Sequence, residues 1–166
     1  MPDLYWAANG PMATTAALAP VTTGTAIKTL LQIATPSTRI VRVIEWGISF
    51  DGSAAATPIK CELIQTDVAA TVTAHVGAGV QPFNDPNAPA SLVTLGTSAT
   101  GYTATAEGTI TATRTFDAQL VAPTNQYVKM WPLDTEPQVP VSKFLRVRVT
   151  AGTAVNAYAY IVWAEG

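Results

Sequence analysis

The sequence predicts an all-β domain, an antiparallel β-sandwich of jelly-roll type. Three observations carry that prediction. Several short runs alternate apolar and polar residues with a period of two, the signature of a strand with one buried face. Glycine, proline, asparagine and aspartate punctuate the intervals between the runs. No run keeps the three-to-four-residue apolar spacing of a long helix. An immunoglobulin-like sandwich is the second choice and would use less chain than the 166 residues present. The absence of a sustained internal repeat argues against a propeller or β-helix.

Residues 1–24 read as an extended amino-terminal arm, and residues 25–166 as one sandwich domain. Pro2, Pro11 and Pro20 discourage helix and central strand. Leu4, Tyr5 and Trp6 form an apolar cluster expected to dock either on the chain's own core or on a neighbouring subunit. TAIKTLLQIA, 25–34, reads as a strand with Ile27, Thr29, Leu31 and Ile33 on one face, although Leu30, Leu31 and Ala34 would also suit a helix. The TPST that follows breaks it.

RIVRVIEWGISF, 39–50, is the most regular stretch. Ile40, Ile44, Trp46, Ile48 and Phe50 fall on one side, with Arg42 as the exception, and Val41, Val43, Glu45, Gly47 and Ser49 fall on the other. Asp51-Gly52 is a hairpin signal, and the predicted return strand runs from about Ile59 to Thr66 with Ile59, Cys61 and Leu63 inward. Residues 67–78 fit a short helix or a weak strand. Residues 79–108, with Pro82, Pro86 and Pro89, read as a long irregular segment, partly extended, that covers a sheet edge or reaches a neighbour. Alternation resumes at 108–123, where Ile110, Ala112, Arg114 and Phe116 oppose Thr111, Thr113 and Thr115. NQYVKMWPL, 125–133, is a short strand ended by Pro132. A second hairpin is predicted at the end, with Leu145, Val147 and Val149 inward on one arm and Val155, Ala157, Ala159, Ile161 and Trp163 alternating on the other.

The composition narrows function. Charged residues are 12% and hydrophobic residues 48%, so the surface is thinly charged and suits packing against neighbours. A net charge of −2, with the basic residues dispersed, argues against a nucleic-acid partner, which needs a basic face to displace counterions. No apolar run approaches the roughly 20 residues of a membrane-spanning helix, and the amino-terminal stretch lacks a basic, signal-like start, so synthesis in the cytoplasm and no membrane partner are expected. Cys61 is the single cysteine, which excludes an intrachain disulfide and a cysteine-based zinc site.

Chemistry is sparse. His75 is the only histidine and has no nucleophile motif beside it, so a packed histidine is the preferred reading over a catalytic one. Cys61 reads as a small core residue. The aspartates fall mostly at turns, where their side chains bond nearby backbone N–H groups. DPNAP, 85–89, lacks the acidic density of a calcium loop, and GAG, 77–79, lacks the strand–loop–helix context of a phosphate site. No enzyme activity, cofactor or metal is expected. Trp46 and Trp163 read as core; Trp6 and Trp131, near prolines, are candidates for exposure.

VIEWGISFDGSAAATPIKCEL, NDPNAPASLVTLGTSATGYTATAEGTI and SKFLRVRVTA together resemble small head proteins of tailed bacteriophages and prophages, notably of actinobacterial hosts. The resemblance runs from about residue 25 to the end and rests on overall texture, not on a catalytic motif. It implies a capsid decoration, or cement, protein: a β-sandwich or β-tulip that assembles as a homo-oligomer, commonly a trimer, and binds the outer face of the major capsid protein lattice in the virion. No site carries over residue by residue. On this reading Leu4, Tyr5, Trp6, Phe83 and Tyr102 are the expected oligomer or capsid contacts. The alternative is a carbohydrate- or receptor-binding sandwich of a head fibre or tail, using Tyr102, Trp131, Tyr158 or Tyr160.

Overall fold

A computed structural model describes residues 2–12, 15–53 and 57–166. Two antiparallel sheets pack face to face, as the alternating runs require. In chain order the strands are β1 (Leu4–Ala8), β2 (Val21–Thr22), β3 (Lys28–Ala34), β4 (Val41–Phe50), β5 (Ile59–Thr66), β6 (Thr71–Ala74), β7 (Gln81–Pro82), β8 (Gly101–Ala106), β9 (Thr113–Val121), β10 (Gln126–Met130), β11 (Gln138–Val139), β12 (Phe144–Thr150) and β13 (Asn156–Glu165). The first sheet has the order β10-β4-β13-β1-β7, with β11 also on β4 and β2 on β13. The second has the order β6-β8-β3-β12-β5-β9.

Both predicted hairpins are absent. β4 lies in the first sheet and β5 in the second, so the Asp51-Gly52 segment crosses between sheets. The same holds for β12 and β13. The apolar faces of each pair look at one another across the core instead of sharing a ladder: Val41, Val43, Trp46 and Ile48 against Ile59, Cys61 and Leu63, all buried. Each strand takes a partner distant in sequence. β4 pairs with β13 from Val41↔Glu165 to Phe50↔Ala157, and β5 pairs with β12 from Lys60↔Thr150 to Thr66↔Phe144. Gly52 is needed for space and not for a positive φ, because a Cβ there would lie 2.5 Å from Pro123 Cβ. Asp51 fastens the crossing, accepting from Asn156 N–H at 2.9 Å and Asn156 Nδ2 at 3.1 Å.

A bulge corrects the facing of β4. The register skips Ile44: Val162 is opposite Glu45 and Trp163 is opposite Val43. One extra residue reverses the side-chain phase. Val41 and Val43 therefore point inward together with Trp46 and Ile48, and strict alternation from residue 40 puts them on the wrong side. Trp46 and Trp163, both 0% exposed, anchor the core as expected, and truncating side chains of that size costs about 3–5 kcal/mol.

The amino-terminal segment is not simply an arm. Leu4–Ala8 lies inside the first sheet, paired with β13 over Leu4↔Ala164 to Ala8↔Tyr160 and with β7 at Tyr5↔Pro82. The prolines fall outside these five residues, so no ladder donor is lost. The 79–108 segment is shared between the sheets. Gln81–Pro82 caps the edge of β1, and Gly101–Ala106 joins β3 and β6.

The outer side of the second sheet is covered by the chain around residues 67–72 and 98–108. Arg146, which alternation places opposite the inward Leu145 and Val147, is 0% exposed beneath it. Its Nη1 donates to Glu107 O at 3.0 Å and its Nη2 to Val68 O, and Glu107 Oε1 lies 3.7 Å from Nη1. Gln32, also fully buried, donates to Ala99 O at 2.7 Å and accepts from Ala70 N–H at 2.9 Å. The apolar contribution to this layer is small, from Ala70, Val72 and Ala104. Polar bonds with few alternatives therefore hold it down.

Candidate functional site

Polar side chains bridge both flanks of the sandwich: Asp117 and Arg114, whose Nη2 donates to Gln138 O, on one, and His75 on the other. On the β9/β10 flank, Asp117 points inward from an edge strand, where it accepts from Trp46 Nε1 at 3.1 Å and Tyr127 Oη at 2.8 Å through one oxygen, and from Gln119 Nε2 at 3.0 Å through the other. Burial and this bond push the Tyr127 phenol up to about 12. An inward charge and a bulge at Phe116, which the register with β5 skips, both discourage strand addition at that edge. On the opposite flank His75, 3% exposed, reaches from the end of β6 to Ala8 on β1. Cys61 is buried, and desolvation raises its thiol to about 12, far from a nucleophile's range. Among the described residues no cluster of three or more histidine, cysteine or acidic side chains could hold a metal ion, and no helix is long and apolar enough to cross a membrane.

The outer side of the first sheet is the least ordinary surface. β1 presents Trp6 and Ala8 outward, β13 presents Tyr158 and Tyr160, and β10 presents Val128 and Met130. The registers Trp6↔Val162, Ala8↔Tyr160, Tyr158↔Ser49, Tyr160↔Gly47, Val128↔Gly47 and Met130↔Glu45 lay them side by side across four strands. Trp6, Leu18, Tyr158 and Tyr160, over a floor of Ala8 and Ala159, line a groove of about 190 Å³. Val128 (51% exposed) and Met130 (63%) extend the apolar area beyond it.

Glycine makes the groove possible. The Tyr160 ring lies against Gly47, where a Cβ would stand 2.4 Å from Cε1. Its hydroxyl donates to Glu45 Oε1, and burial together with that carboxylate raises the phenol well above its usual value. Tyr158 donates its hydroxyl to Leu18 O, which ties the 15–20 segment to the sheet. The rings are therefore held in place before any partner arrives, which lowers the ordering cost of binding.

The expected contact residues separate. Trp6 lies in the groove and is half-buried. Leu4 is partly exposed, and its carbonyl accepts from Phe83 N–H at 2.7 Å, which puts the 55%-exposed Phe83 beside the same strand. Tyr5 is 3% exposed, its hydroxyl donates to Pro89 O at 2.9 Å and its ring lies 6.3 Å from Trp163, so it belongs to this chain's own core. Tyr102 is half-buried on β8 of the second sheet with its ring edge-on to His75 at 4.8 Å, whereas Leu4, Tyr5 and Trp6 belong to β1 of the first. Trp131 is half-buried at the end of β10 with Lys129 Nζ 5.9 Å from its ring. Sequence reasoning did not single out Leu18, Val128 and Met130. The alternation of QYVKM carries a signal for the last two; Leu18 sits in a non-repetitive segment and carries none.

No family model, no curated protein and no solved structure matches the chain.

Proposed function

We propose that this chain is a structural virion protein of a tailed bacteriophage, one that binds the outer surface of the major capsid lattice and cements the head, acting as a homo-oligomer with a trimer favoured. The observation that carries the reading is the aromatic, weakly charged outer face of the first sheet. Tryptophan, tyrosine and methionine are the residues enriched at the centres of protein interfaces, and here they ride on a sheet with both flanks closed. A protein that staples a lattice needs rigidity and a contact face, not an active site, and many copies on one lattice add avidity to modest single contacts. The resemblance to phage head proteins supplies the partner.

The test is sedimentation of the purified protein with expanded heads, beside its mass by light scattering. Leu4–Ala8 is an internal strand, so point changes isolate the surface better than truncation. Trp6→Ala and Tyr158→Ala are each expected to weaken head binding by about 30-fold if they remove interface hot spots worth about 2 kcal/mol. A folded protein that ignores heads refutes the proposal.

A second reading has one observation of its own: three aromatic rings line one groove, as sugar-binding surfaces do. Retention on host cell-wall polysaccharide, lost in the same two variants, would favour a glycan-binding module. The near absence of polar groups in the groove weighs against it, because sugars need hydrogen-bonding partners as well as ring faces.

A further inference from the structure

His75 closes its flank with a bond that depends on its protonation. Its backbone N–H donates to Thr100 O at 3.1 Å, which fixes the residue just past β6. Its Nε2 lies 2.8 Å from Ala8 O. A carbonyl only accepts, so Nε2 carries the proton and the neutral ring leaves Nδ1 bare. Tyr102 on β8 meets the ring edge-on at 4.8 Å. Gly79, in the 3-10 turn Gly77–Gly79, packs so close that a Cβ there would lie 2.7 Å from Nδ1. The groups facing the ring are thus Ala8 from β1, Tyr102 from β8 and Gly79 from the turn. Tyr102 is the one titratable group among them, and no carboxylate among the described residues pairs with the ring. A second proton, on Nδ1, finds no protein acceptor among the described residues, on a side chain only 3% exposed.

We propose that His75 is an acid-sensitive latch. Neutral, it fastens the end of β1 to the second sheet. Protonated, it releases that flank, loosening β1 and the turn that leads into β7 while the Asp117 flank stays shut. The sign follows from burial, which holds the imidazole below its ordinary 6.5 against a smaller opposing effect of the Ala8 bond. The unfolded chain then takes up the proton first as pH falls, so the latch's contribution is complete above about 6.5 and is lost as pH falls through the folded value.

One histidine in the chain gives one set of ring resonances, so an NMR titration of the full-length protein reads the latch directly. The expected midpoint lies below 6.5. Hydrogen exchange, corrected for its intrinsic pH dependence, should speed up at Asn9, Gly79, Val80 and Phe83 by up to about tenfold for each pH unit between about 6.5 and the folded midpoint, and level off below it. Amides of β10 should not respond. His75→Gln keeps a donor for Ala8 O and does not titrate, so it should abolish the response. A midpoint at or above 6.5, equal acceleration on both flanks, or an unchanged response in His75→Gln would each overturn the proposal. If His75→Gln fails to fold, the titration and exchange of the unaltered chain decide alone.

Discussion

Replacing Asp117 by alanine tests how the β9/β10 flank is held. The side chain accepts from Trp46 Nε1 at 3.1 Å and Tyr127 Oη at 2.8 Å. Trp46 is 0% exposed, so its indole N–H has no water to turn to, whereas half-buried Tyr127 can recover part of its bond from solvent. A hydrogen bond to a charged group contributes about 1.5–3 kcal/mol, and a stranded buried donor costs about 1–3. Asp117→Ala should therefore destabilise by about 3 kcal/mol, a fall in Tm of roughly 6–12 °C for a domain of this size. Asp117→Asn keeps an acceptor without the charge and should lose about 1 kcal/mol. Urea unfolding followed by tryptophan fluorescence gives both values. The Tyr127 phenol, raised to about 12 by burial and by this carboxylate, should titrate lower in Asp117→Ala by ultraviolet absorbance. A loss under about 0.5 kcal/mol would refute the bridge, as would additive effects of Asp117→Ala and Tyr127→Phe in a double-mutant cycle.

Three further outcomes are expected. Gly47→Ala puts a Cβ 2.4 Å from the Tyr160 ring; it should cost about 1–3 kcal/mol by thermal melting and displace the ring from the groove. Arg146→Ala strips Glu107 and Val68 of their buried partner and should cost about 3–5 kcal/mol, while Arg146→Met, which fills the space, should cost less; urea midpoints rank the two. Cys61, with its thiol raised to about 12, stays protonated and buried at neutral pH, so a thiol reagent should react only after denaturant is added.

Strand positions were legible because period-two alternation is written locally. Thr71–Ala74 and Leu4–Ala8 were harder: one is four residues long, and the other is bounded by prolines that discouraged any strand. Of the aromatic outer face of the first sheet, Trp6 and the tyrosines were visible as aromatics near chain ends and in alternating strands. Their meeting in one groove was not, because β1, β13 and β10 are brought together only by pairing over long sequence distances. Tyr5 illustrates the reverse. Its composition suits an interface, yet the two-residue period of β1 sends it inward while Trp6 goes out.

The sequence by itself determined that this chain is all-β, that most of its strands have one buried face, and that Trp46, Trp163 and Cys61 are core. Tertiary structure decided how the strands pair. Asp51-Gly52 and the 151–155 segment reverse the chain, but a local reversal serves equally for a hairpin and for a crossing between sheets. The choice falls to the sum of distant contacts, in which β4 gains a ten-residue partner in β13. The same distant contacts set the bulge that turns Val41 and Val43 inward, bury Arg146 under residues 67–72 and 98–108, and place His75 and Asp117 on opposite flanks. Side-chain period is a property of neighbours in sequence; burial and partnership are properties of neighbours in space.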